Sequence, residues 1–244
     1  GGGVHVIYDT DGQIFSSVLG LSGVLGVAQI EWVAAESNEI LEAYVILNGS
    51  QVRSADPAAV AFSGVFTHEF GHAVNLAHTQ ANGAAFGFAD PTRPRGCAAP
   101  WATAPGAQQI ETMYPFIQIN NPTSAGTGMA TVDRIDDIAA ISNLYPAAGW
   151  PESHGTIRGK VLLGDEETEI TAVNVIARNI ADPFNDFTSY ISGQVSKGQA
   201  GPDGSFEFNG LTPGAQYVLY VDNLVAGGFN VPVLAILVNG GAIA

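Results

Sequence analysis

His68-Glu69-Phe70-Gly71-His72-Ala73-Val74-Asn75-Leu76-Ala77-His78 places three imidazoles and one carboxylate within eleven residues. On a helix, His68 and His72 stand four residues apart, so both rings leave the same face and can meet one metal ion. Glu69, beside the first of them, is placed to take a proton from water that such an ion activates. A third ligand is needed. If the helix ran on, His78 would lie about 9 Å further along the axis than His72 and roughly 120° around it, out of reach of the same ion. The spacing therefore predicts that the helix stops between them. Asn75 is the expected breaking point, because after Gly it is Asn that most readily takes a left-handed helix cap.

Five histidines occur in 244 residues, so three of them in one short stretch are not a by-product of composition. Three neutral imidazoles with an open fourth position describe a catalytic zinc site, whereas structural zinc sites are closed by four protein ligands, often thiolates. The chain has one cysteine, Cys97. A thiolate from Cys97 would close the site and block catalysis; the ordinary reading is a loop cysteine. Asp9 and Asp11 offer carboxylates to Ca2+, although an isolated D-x-D-G stretch is ordinarily a turn.

The formal net charge is −15, and both halves of the chain are acidic. Nucleic acid and anionic membrane surfaces are therefore disfavoured partners. Hydrophobic residues make up 46% of the chain, enough for a packed core. The longest apolar run, Val231 to Val238, is broken by Pro232 and is far too short for a membrane span. A single cysteine excludes intramolecular disulfides, as in many exported bacterial proteins. The chain begins at Gly1 without a charged-then-apolar leader, so any secretion signal is expected to lie outside it.

Strands are expected at 4–8, near 26–33 and at 43–49, with the turn Asp9-Thr10-Asp11-Gly12 after the first. The metal-binding helix should start at Asp56 and Pro57 and run to about Leu76, burying Val60, Phe66, Phe70 and Val74. Residues 79–112, rich in Gly, Ala and Pro, read as a long cleft-shaping loop. From Thr131 to Tyr145 the residues Val132, Ile135, Ile138, Ala139, Ile141 and Leu144 follow helical spacing until Pro146. Asp133, Asp136 and Asp137 on that helix read as a solvated acidic face. Beyond the linker 147–154 the pattern becomes strands at 156–163, 170–178, 189–196, 205–208 and 217–221, that of a β-sandwich.

Read as H-E-x-x-H-x-x-Asn-x-x-H, the first half resembles the metzincin zinc peptidases, most nearly their matrixin-like branch. Thr112-Met113-Tyr114-Pro115 looks like the Met-turn, which sets a thioether beneath the zinc ligands without binding the metal. Val132-Asp133-Arg134-Ile135-Asp136-Asp137-Ile138 looks like the closing helix of matrixin catalytic domains. The family usually has Gly where this chain has Asn75, and no tyrosine follows Met113 at the position of the fifth ligand in astacin-like relatives. The second half, through Gly155-Thr-Ile-Arg-Gly-Lys-Val161, Val173-Asn-Val-Ile-Ala177 and Asp203-Gly-Ser-Phe-Glu-Phe-Asn-Gly-Leu-Thr-Pro-Gly214, is similar to carboxypeptidase regulatory-like, transthyretin-like domains.

These readings imply an α+β metzincin-like catalytic domain over 1–146, with a twisted sheet, an active-site helix and a C-terminal helix. An all-β sandwich domain follows over 155–244, whose final strand the chain need not reach. The expected function is that of a secreted or cell-surface bacterial zinc endopeptidase acting on peptides or proteins, with Zn2+ on His68, His72 and His78 and Glu69 as general base. Met113 lies below the metal, and Tyr114, Pro115 and the strand at Val45 border the substrate, Val45 by pairing with its extended backbone. The competing reading is a non-catalytic binding or surface-assembly protein that keeps the zinc. Cleavage specificity and oligomeric state are not encoded in these signals.

Overall fold

A computed structural model describes residues 2–37, 39–51, 60–80, 110–116, 128–132, 135–183, 185–193, 203–222 and 224. Strands β1 (Gly3–Asp9), β2 (Gly26–Val33) and β3 (Ile40–Asn48) form one sheet in the order β1-β3-β2. β1 runs parallel to β3, with Val6 opposite Val45, and β2 runs antiparallel to it, with Ala28 opposite Val45. β3 alternates in the manner its sequence requires: Ala43, Val45 and Leu47 are buried, and the residues between them are less so.

Helix α1 (Val60–Ala73) lies on the face of the sheet that β3 turns inward. Ala43, Val45 and Leu47 form a core with Val65 and Ala73, and Phe62, Phe66 and Phe70 pack against it. Those three phenylalanines recur every four residues and so stack along one side of the helix, with ring centroids 6.4 and 5.0 Å apart. Each fully buried side chain of Val or Leu size is worth about 1.5–3 kcal/mol. This core therefore holds the metal-binding helix firmly against the sheet.

Helix α2 (Ile135–Leu144) follows, and then strands β4 (Gly155–Lys160), β5 (Asn174–Asn179), β6 (Phe187–Ile191), β7 (Ser205–Leu211) and β8 (Tyr217–Asp222). β4 pairs with β7, and β5 is the centre of a second sheet ordered β6-β5-β8. Val175 and Ala177 of β5 share a core with Phe206, Phe208 and Leu211 of β7, so the two sheets meet through apolar side chains. α2 packs on β6 and β7. At Gly210 a Cβ would fall 2.8 Å from the Cβ of Ala139 and 2.9 Å from the Trp150 ring, so glycine is what lets β7 approach the helix.

The strands of this half are displaced from the expected ranges by identifiable turns. Ala172 has φ 62°, which breaks extended backbone and delays β5 to Asn174. Gly193, at φ 79°, ends β6 before the expected 196. Leu162 makes only an isolated bridge to Glu169, so β4 stops at Lys160. Near the N-terminus, Asp9 accepts the N–H of Phe15 (3.1 Å) and Asp11 that of Gln13 (3.3 Å), opening a short π-helical turn over Ile14–Val18 that the sequence reading did not foresee. Both carboxylates thus serve the local backbone. Asp56, Pro57, Cys97, Asp133 and most of the 79–112 stretch lie outside the described residues. Among the described residues, no helix is long and apolar enough to cross a membrane.

Candidate metal centre

α1 ends at Ala73, short of the expected Leu76, and the left-handed break falls at Asn75 as the spacing predicts. Asn75 has φ 74°, its N–H bonds the His72 carbonyl (2.9 Å), and the Leu76 N–H reaches back to the Gly71 carbonyl (2.9 Å). This pair of bonds around a left-handed residue is the Schellman stop, and it satisfies carbonyls that the last helical turn leaves open. The chain then doubles back, and His78 returns to the helix.

The Nε2 atoms of His68, His72 and His78 lie 3.1, 3.1 and 3.2 Å from one another. Among the described residues this is the group of three or more His, Cys, Asp or Glu side chains that can share a metal ion. Nitrogens 2.0–2.1 Å from a common tetrahedral zinc would stand about 3.3–3.4 Å apart, close to the spacing seen. The tautomers agree with that role. His68 donates from Nδ1 to the Thr112 carbonyl (2.6 Å), and His72 donates from Nδ1 to the Leu76 carbonyl (2.7 Å). Each Nδ1–H so fixed leaves an Nε2 lone pair facing the centre. Burial, with the neighbouring imidazoles, holds His68 well below the usual histidine range, and burial also lowers His72. Neutral rings are what a metal requires. The three histidines fit a zinc site.

Glu69 is buried beside them at the floor of a cleft of about 440 Å³. Burial raises its carboxyl to about 8. A cation next to it would favour the charged form and draw that value down. The cleft is lined by the three histidines, Pro115 and Phe116, and by Gly26, Val27 and Ala28 of β2. Gly26 makes room for the carboxylate: a Cβ there would fall 2.6 Å from Glu69 Cγ and Oε1.

Met113 is fully buried under α1, so close that a Cβ on Gly71 would fall 2.2 Å from its sulfur. Its carbonyl accepts the N–H of Thr79, one residue beyond the third histidine (3.0 Å). Asp137 accepts the backbone N–H of Thr112 (2.8 Å) and of Met113 (3.2 Å). Asp136 and Asp137 are therefore not a solvated face: they are 5% and 2% exposed. A tight turn has no strand or helix partner for its N–H groups, and the helix supplies carboxylate oxygens instead. Burial, reinforced by the adjacent Asp136, lifts Asp137 to about 7, and burial raises Asp136 as well. The sequence reading missed this role because periodicity alone assigned the inward face to the isoleucines.

Two substrate-side expectations need correction. Val45 sits in the middle strand with β1 and β2 bonded to its two edges and is fully buried, so it has no backbone left to pair with a substrate. The strand that borders the cleft is β2, an edge of the sheet among the described residues. Tyr114 turns away from the cleft into a small core with Ile110 and Met129, while Pro115 does line the cleft.

Two imidazoles on an H-E-x-x-H helix, a third that returns after the helix stop, and a buried glutamate beside them fit a metzincin-type zinc peptidase centre. Residues 14–136, half of the chain, match the M43 peptidase family model described as Pregnancy-associated plasma protein-A. The chain belongs to that family, the pappalysins. The matrixin-like branch suggested by the sequence is thereby corrected, since M43 is a different family. No curated protein and no solved structure matches the chain.

Proposed function

We infer that this protein is an exported zinc-dependent endopeptidase. The single observation carrying this reading is the convergence of three Nε2 atoms, 3.1–3.2 Å apart, beside a buried glutamate in an open cleft. His68, His72 and His78 would hold zinc, which when bound would supply a Lewis acid able to polarise a carbonyl and acidify water. Glu69 takes the water proton and delivers it to the leaving amine, a transfer open to a carboxylate that lines the cleft beside the three histidines. The edge of β2 at Gly26–Ala28, which no other strand covers among the described residues, binds the extended substrate backbone in strand fashion, and Pro115 and Phe116 also line the cleft. Met113 acts as the Met-turn residue, a packed floor that keeps the ligand helix at its height.

The two facing sheets of 155–222 support the assignment of this half to a carboxypeptidase regulatory-like sandwich domain. A secreted, bacterial setting rests on the single cysteine and the acidic charge.

The test is a peptide-library digestion with and without a chelator, repeated with Glu69→Ala. Wild-type protein should bind one zinc ion and cut peptides only without chelator. Glu69→Ala should keep the zinc and lose cleavage. Cleavage that survives Glu69→Ala would reject the assigned base, and a zinc-bound wild type that cuts nothing would favour the binding-module reading.

A further inference from the structure

His68 and His72 are held by α1, but His78 stands on backbone that has left the helix, so something else must fix its height. The segment after it is fastened on two sides. On one side the Thr79 N–H bonds the Met113 carbonyl (3.0 Å). On the other, Thr79 Oγ1 lies 3.1 Å from Oγ of Ser189, and the Gln80 N–H donates to that same Ser189 Oγ (3.1 Å). Ser189 belongs to β6, 110 residues along the chain, and is itself buried. Its own N–H donates to Asp136 Oδ1 (3.1 Å), and the hydroxyls of Thr79 and Thr188 also bond the Asp136 carboxylate.

The directions of these bonds follow from their chemistry. Ser189 Oγ accepts from Gln80 N–H, which frees its own proton for Thr79 Oγ1; Thr79 in turn gives its proton to Asp136, which as a carboxylate only accepts. One consistent chain thus runs from Gln80 through Ser189 and Thr79 to Asp136. Thr79 is fully buried, and a buried hydroxyl left without partners costs about 1–3 kcal/mol, so the links hold one another in place.

We propose that Ser189 is a positioning residue of the metal centre: β6 reaches across from the C-terminal half and, through Thr79 and Asp136, fixes the backbone that carries His78. Resting on the zinc reading above, the proposal makes the strand half part of the catalytic architecture and not an appendage. The family match ends at residue 136, so Ser189 is a contribution of this chain beyond the matched segment.

The test uses the full chain and its Ser189→Ala, Ser189→Cys and Ser189→Thr variants. Zinc release is timed against excess chromophoric chelator, visible spectra are recorded with Co2+ in place of zinc, and urea unfolding is measured on metal-free protein. Ser189→Ala should release zinc about tenfold faster, the scale of effect seen when a group supporting a metal ligand is removed, and should alter the Co2+ bands. Ser189→Thr, which keeps the hydroxyl, should restore both. If Ser189→Ala does not fold, Ser189→Cys decides on the same readouts, since it keeps volume and weakens the hydrogen bonds. Unchanged release and spectra in a variant that only loses urea stability would overturn the proposal and leave the zinc reading intact. A wild type that binds no zinc would overturn both.

Discussion

Replacing Asn75 probes the turn on which the metal centre depends. Its backbone holds φ 74°, and it is only 7% exposed. Asn75→Ala puts a Cβ without local hydrogen-bonding ability into the left-handed region, at a cost of about 1–2 kcal/mol. Asn75→Gly carries no such cost but gives the unfolded chain extra freedom worth about 0.5–1 kcal/mol. Both variants delete the buried Asn75 Oδ1, which finds no hydrogen-bond partner among the described residues, so that contribution cancels when the two are compared. The Gly variant should exceed the Ala variant by about 1 kcal/mol, or about 2–4 °C in Tm for a chain of this size. Urea and thermal unfolding should be run in chelator, because bound zinc would stabilise both variants by mass action and blur the difference. Zinc affinity should then follow the same order, because Leu76, which orients His72, and His78 both lie downstream of the turn. An Ala variant as stable as the Gly variant would refute the argument that a left-handed residue brings the third ligand back.

Gly71→Ala should destabilise the protein by about 1–3 kcal/mol, the usual range for overpacking, and weaken zinc binding, because the new Cβ displaces Met113 and with it the turn that orients His68. Helix propensity alone predicts the opposite, a gain of about 1 kcal/mol, so a more stable variant in urea would count against the close approach. Asp137, lifted to about 7 in the fold from an unfolded value near 3.8, favours the folded state when protonated. Its contribution is fully present below about pH 4 and is lost as pH rises to about 7, on the order of a few kcal/mol across that window. His68 and His72, lowered in the fold, act oppositely, with stability gained as pH rises toward 6.5. The difference in slope between wild type and Asp137→Asn in metal-free unfolding isolates the carboxyl, and identical slopes would refute its shift.

Local chemistry was readable without coordinates wherever it depends on spacing along the chain. The i, i+4 histidines, the left-handed Asn75 and the alternation of β3 all follow from helix and strand periods, and so did their place in the fold. Periodicity failed at Asp136 and Asp137. Their neighbours mark an amphipathic helix, but whether a carboxylate points to water or to an unpaired N–H depends on what packs there. Val45 was misjudged for a related reason: its strand was found, but not that strands on both sides occupy its edges.

The sequence by itself pointed to the three-histidine metal site and to a zinc peptidase, though not to the right family, because ligand type, spacing and the helix stop are all encoded within eleven consecutive residues. Only the tertiary structure decided which strand borders the cleft, that two buried aspartates serve the backbone around the metal site, and that a serine 110 residues away is hydrogen-bonded to the segment after His78. Those choices depend on pairing between distant segments, and the hydrogen-bonding needs of buried backbone are satisfied by whichever partner the fold brings near.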